Sequence, residues 1–285
     1  MSDAGTLYIV ATPIGNLDDI SMRAIDILKN VNLIAAEDTR HSQKLLQAIQ
    51  VETQVVSHHD FSADSAIDRI LDRLEAGDSI ALISDAGTPL ISDPGYKLVR
   101  LAREKNLPVV PIPGASALIS ALSVSGLATD RFTFEGFLPS KSQARQKRLL
   151  SLMEEQRTMV FYESTHRILE SLGDISNTFE EQRLVFIGRE LTKRFESHFL
   201  GIAGACVEWL QSDANQQKGE FVVIVAGCDA QLEESRKHEQ AMDIVRLLKA
   251  EVSMKKAVSL ASKISGARKN LLYEAALKEF ANSDD

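Results

Sequence analysis

Two short segments place small residues beside polar ones directly after an apolar run, where a backbone can approach a ligand closely. The first contains Pro13 and Gly15, and the second contains Asp85 and Thr88. Small residues leave room for a bound molecule, and a carboxylate can bind hydroxyl groups or a cation. We therefore expect a small-molecule site at these segments, with Asp85 as a binding group. For Gly15 the alternative is an ordinary turn.

A third segment, residues 113–117, runs through Pro-Gly into a predicted helix of small residues. Ser116 and Ala117 stand near the start of that helix, where unpaired backbone N–H groups can bind an acceptor. The alternative is close packing of the helix on the sheet.

Asp93, in contrast, precedes Pro94 and an amphipathic run, a pattern typical of a helix N-cap followed by proline. We therefore expect Asp93 to cap a helix.

Charged residues follow two further predicted strands. Asp38 and Arg40 come after the apolar run 33–36, and Glu163 comes after the run 159–162. Ligands of open α/β sheets bind at such strand ends, so these three residues are candidate catalytic groups. The alternative is that Asp38 caps the next helix and Arg40 pairs with a neighbour. Neither His nor Cys occurs at the spacing of metal ligands, so we expect no metal site.

Motifs and charge argue against several functions. The turn after the first strand lacks G-x-G-x-x-G, and G-x-x-x-x-G-K-[ST] does not occur in the chain. A Rossmann domain for nicotinamide or flavin and a Walker-type hydrolase are therefore disfavoured. The net charge of −8 argues against non-specific coating of nucleic acid, although it allows a local basic patch.

Short apolar runs alternate with helical patterns, which predicts an α/β fold with a mainly parallel sheet in the first half. The length of 285 residues favours two domains. In the second half two predicted strands follow one another, which indicates antiparallel pairing. The predicted divisions are an N-terminal α/β domain at 1–135, a second α/β domain at 136–228, a linker at 229–240 and a helical module at 241–285.

The chain shows no sign of a membrane or secreted protein. No apolar run approaches the roughly 20 residues that span a bilayer, and the N-terminus lacks the features of a signal peptide. We therefore expect a cytoplasmic protein. The two cysteines, Cys206 and Cys228, have no C-x-x-C pairing, and we expect buried, reduced thiols.

Seven blocks, in order along the chain, belong together. They are Thr12-Pro13-Ile14-Gly15-Asn16-Leu17, Glu37-Asp38-Thr39-Arg40, Ser84-Asp85-Ala86-Gly87-Thr88-Pro89, Pro113-Gly114-Ala115-Ser116-Ala117, Phe161-Tyr162-Glu163-Ser164-Thr165-His166-Arg167, Arg189-Glu190-Leu191-Thr192-Lys193 and Lys218-Gly219-Glu220. Over essentially its whole length the chain resembles the small-subunit ribosomal RNA (cytidine 2′-O-ribose) methyltransferases of the tetrapyrrole-methylase superfamily. One position departs from the family pattern, which has Pro where Thr165 stands.

The resemblance implies S-adenosylmethionine bound in a cleft between two α/β domains, usually within a homodimer. It also implies methyl transfer to the ribose 2′-hydroxyl of a cytidine in 16S ribosomal RNA, as free RNA or in the assembled 30S subunit. The positions that match cofactor-binding residues of the family are Pro13, Gly15, Asp85, Thr88, Ser116, Ala117, Tyr162, Gly219 and Glu220.

Two basic segments are suited to RNA. Residues 141–148 contain four basic residues and no acidic one. Cations at the start of a helix oppose its macrodipole and do not stabilise it, so contact with phosphate explains them better. Residues 241–280 carry eight basic and four acidic residues, a net charge of +4, around a Ser-Gly break similar to a helix-turn-helix. The alternatives are a solvated helix face for the first segment and a structural or dimer-stabilising role for the second. The expected RNA contacts are Lys141, Arg145, Lys147, Arg148, Lys255, Lys256, Arg268 and Lys269.

Two other functions stay open at this point. One is methyl transfer to a tetrapyrrole such as a precorrin, which leaves the basic segments without an explanation. The other is a ribosome-assembly factor that binds RNA without catalysis and keeps the fold. The first predicts activity without the C-terminal helices, and the second predicts RNA binding without methyl transfer.

Overall fold

The computed structural model describes residues 4–58 and 64–281. The ends of the predicted domains at 1–3 and 282–285 lie outside these ranges. The first domain consists of β1 (Leu7–Val10), α1 (Met22–Asn30), β2 (Leu33–Ala36), α2 (Thr39–Ala48), β3 (Val55–Ser57), α3 (Asp64–Glu75), β4 (Ile80–Ile83), α4 (Tyr96–Glu104), β5 (Val109–Ile112) and α5 (Ala117–Val124). The strands form one parallel sheet in the order β3-β2-β4-β1-β5. The predicted α/β fold is confirmed, and β1 and β4 lie side by side near its middle.

The central strands are short and wholly apolar because helices cover both faces of the sheet. All four residues of β2 and of β4 are buried. On one face Leu82 packs in a cluster with Leu98, and on the other Ile83 packs in a cluster with Leu28. A strand buried on both faces has no polar alternation, which is why these runs were visible in the sequence.

The second domain has a mixed sheet. Its elements are β6 (Phe132–Phe137), α6 (Ser142–Leu150), β7 (Thr158–Ser164), α7 (Ile168–Thr178), β8 (Leu184–Arg189), β9 (Ser197–Ile202), α8 (Ala203–Gln211) and β10 (Glu220–Val225). The order is β6-β7-β10-β8-β9, with β6 parallel to β7 and the other pairs antiparallel. The two successive strands β8 and β9 pair antiparallel, as predicted. Cys206 and Cys228 are both buried, and no disulfide joins them.

The boundary between the domains lies earlier than the sequence predicts. A division after residue 135 cuts β6, whose pairing with β7 starts at Phe132. Gly136, the first residue after the predicted division, has φ of +65° at a shift of register between Phe134 and Gly136. The glycine therefore forms a bulge that re-aims the strand without ending it.

The two domains share a hydrophobic core. Ile14 and Leu118 of the first domain pack in one buried cluster with Val160, Val222 and Ile224 of the second. The cluster lies between α5 and the second sheet, directly below the loops that follow β1 and β5. It therefore fixes how the two halves of the cleft face each other.

The C-terminal module consists of three helices: α9 (Ala230–Lys249), α10 (Met254–Ser265) and α11 (Lys269–Ala281). The prediction that residues 229–240 form a linker is wrong, because α9 begins at Ala230. The polar residues Glu, Gln, Arg and Lys in this segment are good helix formers. The module has its own core, which includes Val245, Val258 and Leu272. Among the described residues, no helix combines the length and the apolar character that crossing a membrane requires.

Candidate functional site

The loops that follow β1, β4 and β5 meet at one edge of the first sheet. Thr12 and Gly87 exchange two backbone hydrogen bonds, of 2.8 and 3.0 Å. Thr88 Oγ1 donates to the carbonyl oxygen of Ala115 at 3.1 Å. Gly87 has φ of +78°, a conformation that other residues rarely adopt, and a Cβ there would lie 3.3 Å from Ile14 Cγ2. The three segments singled out in the sequence are thus joined in space.

A cleft of about 470 Å³ lies between this edge and the second sheet. Both domains contribute to its walls, and Ala86, Gly87, Gly188 and Gly219 leave it wide because they carry little or no side chain. Six of the nine residues that the resemblance implies for the cofactor line it: Thr88, Ser116, Ala117, Tyr162, Gly219 and Glu220. The other three, Pro13, Gly15 and Asp85, directly adjoin lining residues in the chain.

Tyr162 connects the two walls of the cleft. Its hydroxyl accepts a hydrogen bond of 3.3 Å from the backbone N–H of Leu118, in the first turn of α5. Its ring makes edge-to-face contacts with Phe134 and Phe137, with ring centroids 4.9 and 5.8 Å away. Burial raises the pKa of the Tyr162 phenol above its ordinary value. At neutral pH the side chain is therefore an uncharged, fixed part of the wall.

Glu163 lies in the cleft wall but is fully engaged. Ser171 Oγ donates to one carboxylate oxygen at 2.6 Å, and Arg167 forms an ion pair at 3.1 Å. The side chain is buried. A carboxylate held by these partners braces the turn after β7, so we interpret Glu163 as a structural part of the site.

Thr165 links two segments of the second domain across the cleft wall. Its hydroxyl accepts a hydrogen bond from the N–H of Gly219 at 2.8 Å and donates one to the carbonyl oxygen of the same residue at 2.6 Å. Gly219 has φ of +107°. The departure from the family's proline therefore replaces a rigid ring by two hydrogen bonds, which hold Gly219 and Glu220 in place.

Lys193, which the sequence analysis named only within a block and not as a site residue, brings the second domain against the turn after β1. Its Nζ lies 3.0 Å from Glu190 Oε1 and 2.8 Å from Glu220 Oε2. A Cβ on Gly15 would collide with Lys193 Cγ. Gly15 is thus required for the passage of a lysine stem from the other domain, beyond its role in a turn.

Asp93 does not cap α4, and this expectation was wrong. Gly95 occupies the N-cap position with φ of +119°, and the Asp93 side chain lines the cleft. Burial raises the pKa of the Asp93 carboxyl to about 6, and the carboxylates of Glu37 and Asp85 also raise it, against a hydrogen bond from Ser84. The overlooked signal is Gly95: a glycine directly after Asp-Pro moves the cap two residues along.

Asp38 and Arg40 do not line the cleft, and we do not retain them as catalytic candidates. Asp38 is the N-cap of α2, and its carboxylate accepts from the Arg40 N–H at 2.8 Å and pairs with the Arg40 guanidinium at 3.0 Å. Hydrogen bonds from the Arg40 side chain and backbone lower the pKa of Asp38 to about 2. Asp85 accepts a hydrogen bond of 3.1 Å from the Asp38 N–H, so this segment orients Asp85 beside the cleft.

The basic segment of α6 has two different kinds of cation. Arg145, expected to contact RNA, is 1% exposed, and its Nε donates to Asp174 Oδ2 at 2.6 Å. That expectation was wrong, because a buried ion pair ties α6 to α7. Lys141 and Lys147 are exposed, and Arg148 is exposed and paired with Glu135.

Within the described ranges, no three His, Cys, Asp or Glu side chains are grouped as metal ligands would be.

The C-terminal module presents cations at the starts of two helices. Lys255 and Lys256 stand in the first turn of α10, Arg268 and Lys269 stand at the start of α11, and all four are exposed. Gly266, with φ of +75°, ends α10 and makes the sharp turn between the helices. Arg268 pairs with Glu234 at 2.8 Å, whereas the three lysines have no ion pair among the residues that the structure describes.

Two family profiles match the chain. Residues 6–207 match the Tetrapyrrole (Corrin/Porphyrin) Methylases, and residues 237–279 match the RsmI C-terminal HTH domain. The first match spans both α/β domains up to α8. The second covers most of the three-helix module, which agrees with the helix-turn-helix that the sequence predicts.

Several known proteins are similar to this chain. Proteins named "Ribosomal RNA small subunit methyltransferase I" are 50% identical in Pseudomonas aeruginosa, over 98% of this chain and 99% of that protein, and 49% identical in Escherichia coli O157:H7, over 96% of each. In fold, the chain is similar to uroporphyrin-III C-methyltransferase from Thermus thermophilus complexed with S-adenosyl homocysteine. That likeness has a TM-score of 0.52 at 15% identity and covers 78% of this chain and 97% of the other.

Proposed function

Because this chain belongs to the tetrapyrrole (corrin/porphyrin) methylase family, we propose that it transfers a methyl group from S-adenosylmethionine to the 2′-hydroxyl of a cytidine ribose in small-subunit ribosomal RNA. The observation that carries the proposal is the identity of about 50%, over nearly the whole chain, to proteins named as methyltransferases of that RNA. This identity extends through the C-terminal module.

The residues of the cleft fit the cofactor. S-adenosylmethionine supplies an electrophilic methyl group on a sulfonium when it is bound. The apolar side chains of Ile14, Ile91 and Leu191 can pack against flat or aliphatic parts of such a molecule, and Gly87 and Gly219 leave room for it. Ser116 and Ala117 offer the start of α5 to a polar group. The uroporphyrin-III C-methyltransferase named above, which has a similar fold, was solved with S-adenosyl homocysteine, the molecule that remains after S-adenosylmethionine gives up its methyl group.

Alignment is the main task of this chain's residues. Attack on a methyl carbon needs the oxygen, carbon and sulfur in line, and a fixed geometry alone can supply much of the rate acceleration. The Tyr162 hydrogen bond to α5 ties the two walls together, and the Thr165 bonds to Gly219 and the Lys193 ion pairs hold the wall of the second domain in shape. A cleft whose walls are fixed in this way suits the alignment that the reaction needs.

RNA binding is assigned to the exposed cations of α6 and of the C-terminal module. Cations at the starts of α10 and α11 oppose the helix macrodipoles, so they reduce local stability and favour an external anion. Two such helix starts with four exposed cations suit contact with RNA phosphates. The proposed contacts are Lys141, Lys147, Arg148, Lys255, Lys256, Arg268 and Lys269, without Arg145.

We also propose that the chain works in the cytoplasm as a homodimer, on free RNA or on the assembled 30S subunit. Ile119 and Val124 on α5 and Leu200 on β9 are exposed apolar side chains, which supports an interface between two copies. Light scattering coupled to size-exclusion chromatography measures the molar mass and thereby tests the homodimer. A mass of one chain at micromolar concentration would contradict it.

Transfer of a labelled methyl group tests the function. Undermethylated small subunits, naked small-subunit RNA and a precorrin are offered in parallel with the cofactor. The proposal expects label at a cytidine, in a linkage resistant to alkaline cleavage, in at least one of the two RNA samples. Label on the precorrin alone would support the tetrapyrrole alternative, and RNA binding without transfer would support the assembly-factor alternative.

A further inference from the structure

The cleft contains a carboxylate that accepts a hydrogen bond from a serine hydroxyl and has no cationic partner among the described residues. Asp93 lines the cleft from the loop between β4 and α4, and Gly95 takes the capping position that Asp93 was expected to fill. The groups that act on it are two carboxylates and the Ser84 hydroxyl, and no cation among the described residues pairs with it. A partly buried charge without a counter-charge needs an explanation.

The loop that carries Asp93 is held in an unusual shape. Leu90 and Ser92 have φ of 73° and 66°, in the left-handed region that residues with side chains rarely adopt. Ser92 Oγ lies 3.6 Å from where a Cβ on Gly136 would stand, so the loop reaches the bulge of β6 in the second domain. Strained backbone of this kind concentrates at functional sites. Here it directs Asp93 into the cleft, and at one end of the loop Leu90 packs against the core.

We propose that Asp93 is the general base that accepts the proton of the ribose 2′-hydroxyl, an inference that rests on the proposed function. The oxygen forms a bond to the methyl carbon, the bond from that carbon to sulfur breaks, and its electron pair stays on the sulfur. The hydroxyl proton passes to an Asp93 carboxylate oxygen, so that one neutral sulfide, one methylated ribose and one protonated carboxyl result.

The other acidic or basic groups of the cleft are less suited to this step. Glu163 is held by Ser171 and Arg167, and Glu220 is paired with Lys193. Burial keeps the Tyr162 phenol protonated by raising its pKa, so it cannot accept a proton at neutral pH. His166 lines the cleft at an exposed position and is the competing candidate that the experiment must address.

The protonation behaviour of Asp93 matches the role. Burial, with Glu37 and Asp85 nearby, raises the pKa of its carboxyl to about 6, so it is mostly ionised at pH 7 yet takes up a proton more readily than an exposed carboxylate. Glu37 and Asp85 act on it from beside the cleft, and the titratable or charged groups of the cleft walls are Tyr162, Glu163, His166, Lys193 and Glu220.

The test is single-turnover methyl transfer to the RNA substrate that the wild type accepts, with Asp93→Asn, an isosteric change. We expect the transfer rate to fall by about 10²- to 10⁴-fold. The dissociation constant of S-adenosylmethionine, from calorimetry, should be unchanged. The wild-type rate should rise with slope one up to about pH 6 and then level off, and Asp93→Asn should lose this rise. The matched control is Asp130→Asn, the same change at an exposed carboxyl outside the cleft, which should keep both the rate and the pH profile. A separate variant, His166→Gln, tests the competing candidate and should keep the rise with pH.

A second variant protects the test against misfolding. Asp93→Ala leaves space for a small carboxylate, and added formate should restore part of the rate, whereas chloride at equal ionic strength should not. The assignment is overturned if Asp93→Asn keeps the wild-type rate, if it loses cofactor binding to the same extent as the rate, or if His166→Gln alone abolishes the pH dependence. A wild type that methylates neither RNA sample would overturn the proposed function itself.

Discussion

The cleft and the C-terminal module differ in the sign of their charges and in how far those charges are exposed to solvent. The cleft has the carboxylates of Asp93, Glu163 and Glu220 in its walls, and burial raises the pKa of Asp93. The module gathers cations on an open surface, and three of them, Lys255, Lys256 and Lys269, have no ion pair among the described residues. Reaction chemistry needs few charges held in fixed places, whereas a polyanion needs many charges that stay accessible to solvent. The difference indicates that methyl transfer and RNA affinity are separable by mutation.

The strongest test of whether cofactor binding and RNA binding are separable is to fill the cleft. Ala117→Phe places a ring in the wall at the start of α5, and we expect the affinity for S-adenosylmethionine to fall by about 100-fold, equivalent to roughly 3 kcal/mol. Affinity for RNA in filter binding should stay at the wild-type level. The control is Ala117→Ser, which keeps the space. Equal loss of both affinities would show that the two regions are coupled.

The converse change acts on the module. Lys255→Glu with Lys256→Glu removes two exposed cations at the start of α10. We expect RNA affinity to fall by at least about tenfold and the slope of log affinity against log salt to decrease by about 2, with no change in cofactor affinity. Arg23→Glu with Lys29→Glu, on exposed α1 positions, changes the charge equally elsewhere. If that control weakens RNA binding as much, only the net charge matters.

Helix α6 offers the same comparison on a smaller scale, between a buried and an exposed cation. Arg145→Met leaves Asp174 in a mostly buried position without its partner, and we expect the free energy of unfolding to fall by about 3 kcal/mol. Lys147→Met should change it by less than about 0.5 kcal/mol. Denaturant titration measures both. Equal stabilities would mean that the Arg145 pair contributes little and that Arg145 is available for RNA after all.

The smallest effect concerns stability and pH. The pKa of Asp93 is raised in the folded state to about 6 from 3.8, so between these pH values the folded protein binds more protons than the unfolded chain. Protonation therefore stabilises the fold, and this contribution is lost as pH rises through about 6. Asp93→Asn should raise the melting temperature at pH 7.5 relative to the wild type, and by less at pH 4. An identical difference at both pH values would contradict the raised pKa.

Much of the fold was predictable because its central strands are buried on both sides. The runs at β2 and β4 are continuous apolar segments, and βα alternation around them indicates a parallel sheet. The polar start of α9 was not predictable as a helix from charge and polarity alone. Nor did Gly136 show by itself whether the chain breaks or bulges there, since that depends on pairing with β7.

The site was predictable in its loops but not in its pairs. Small residues after strands located the walls around Thr88, Ser116 and Tyr162. The partner of Arg145 lies 29 residues away on another helix, and no local pattern reveals it. Asp93 was misassigned because Asp-Pro satisfies a capping rule locally, and only the left-handed Gly95 shows that the helix begins later. Long-range contacts decide such cases.

The shared core between the domains limits how the protein moves. Swinging the domains apart about a hinge would expose Ile14 and Leu118 on one side and Val160 and Ile224 on the other, all of them buried. Such opening is therefore disfavoured during turnover. Entry of the cofactor and departure of its product must instead depend on small displacements of surface loops, among them the turn at Gly15 that contacts Lys193 at the cleft. Exchange of spent cofactor, more than domain closure, is then the motion that can set the pace of repeated cycles.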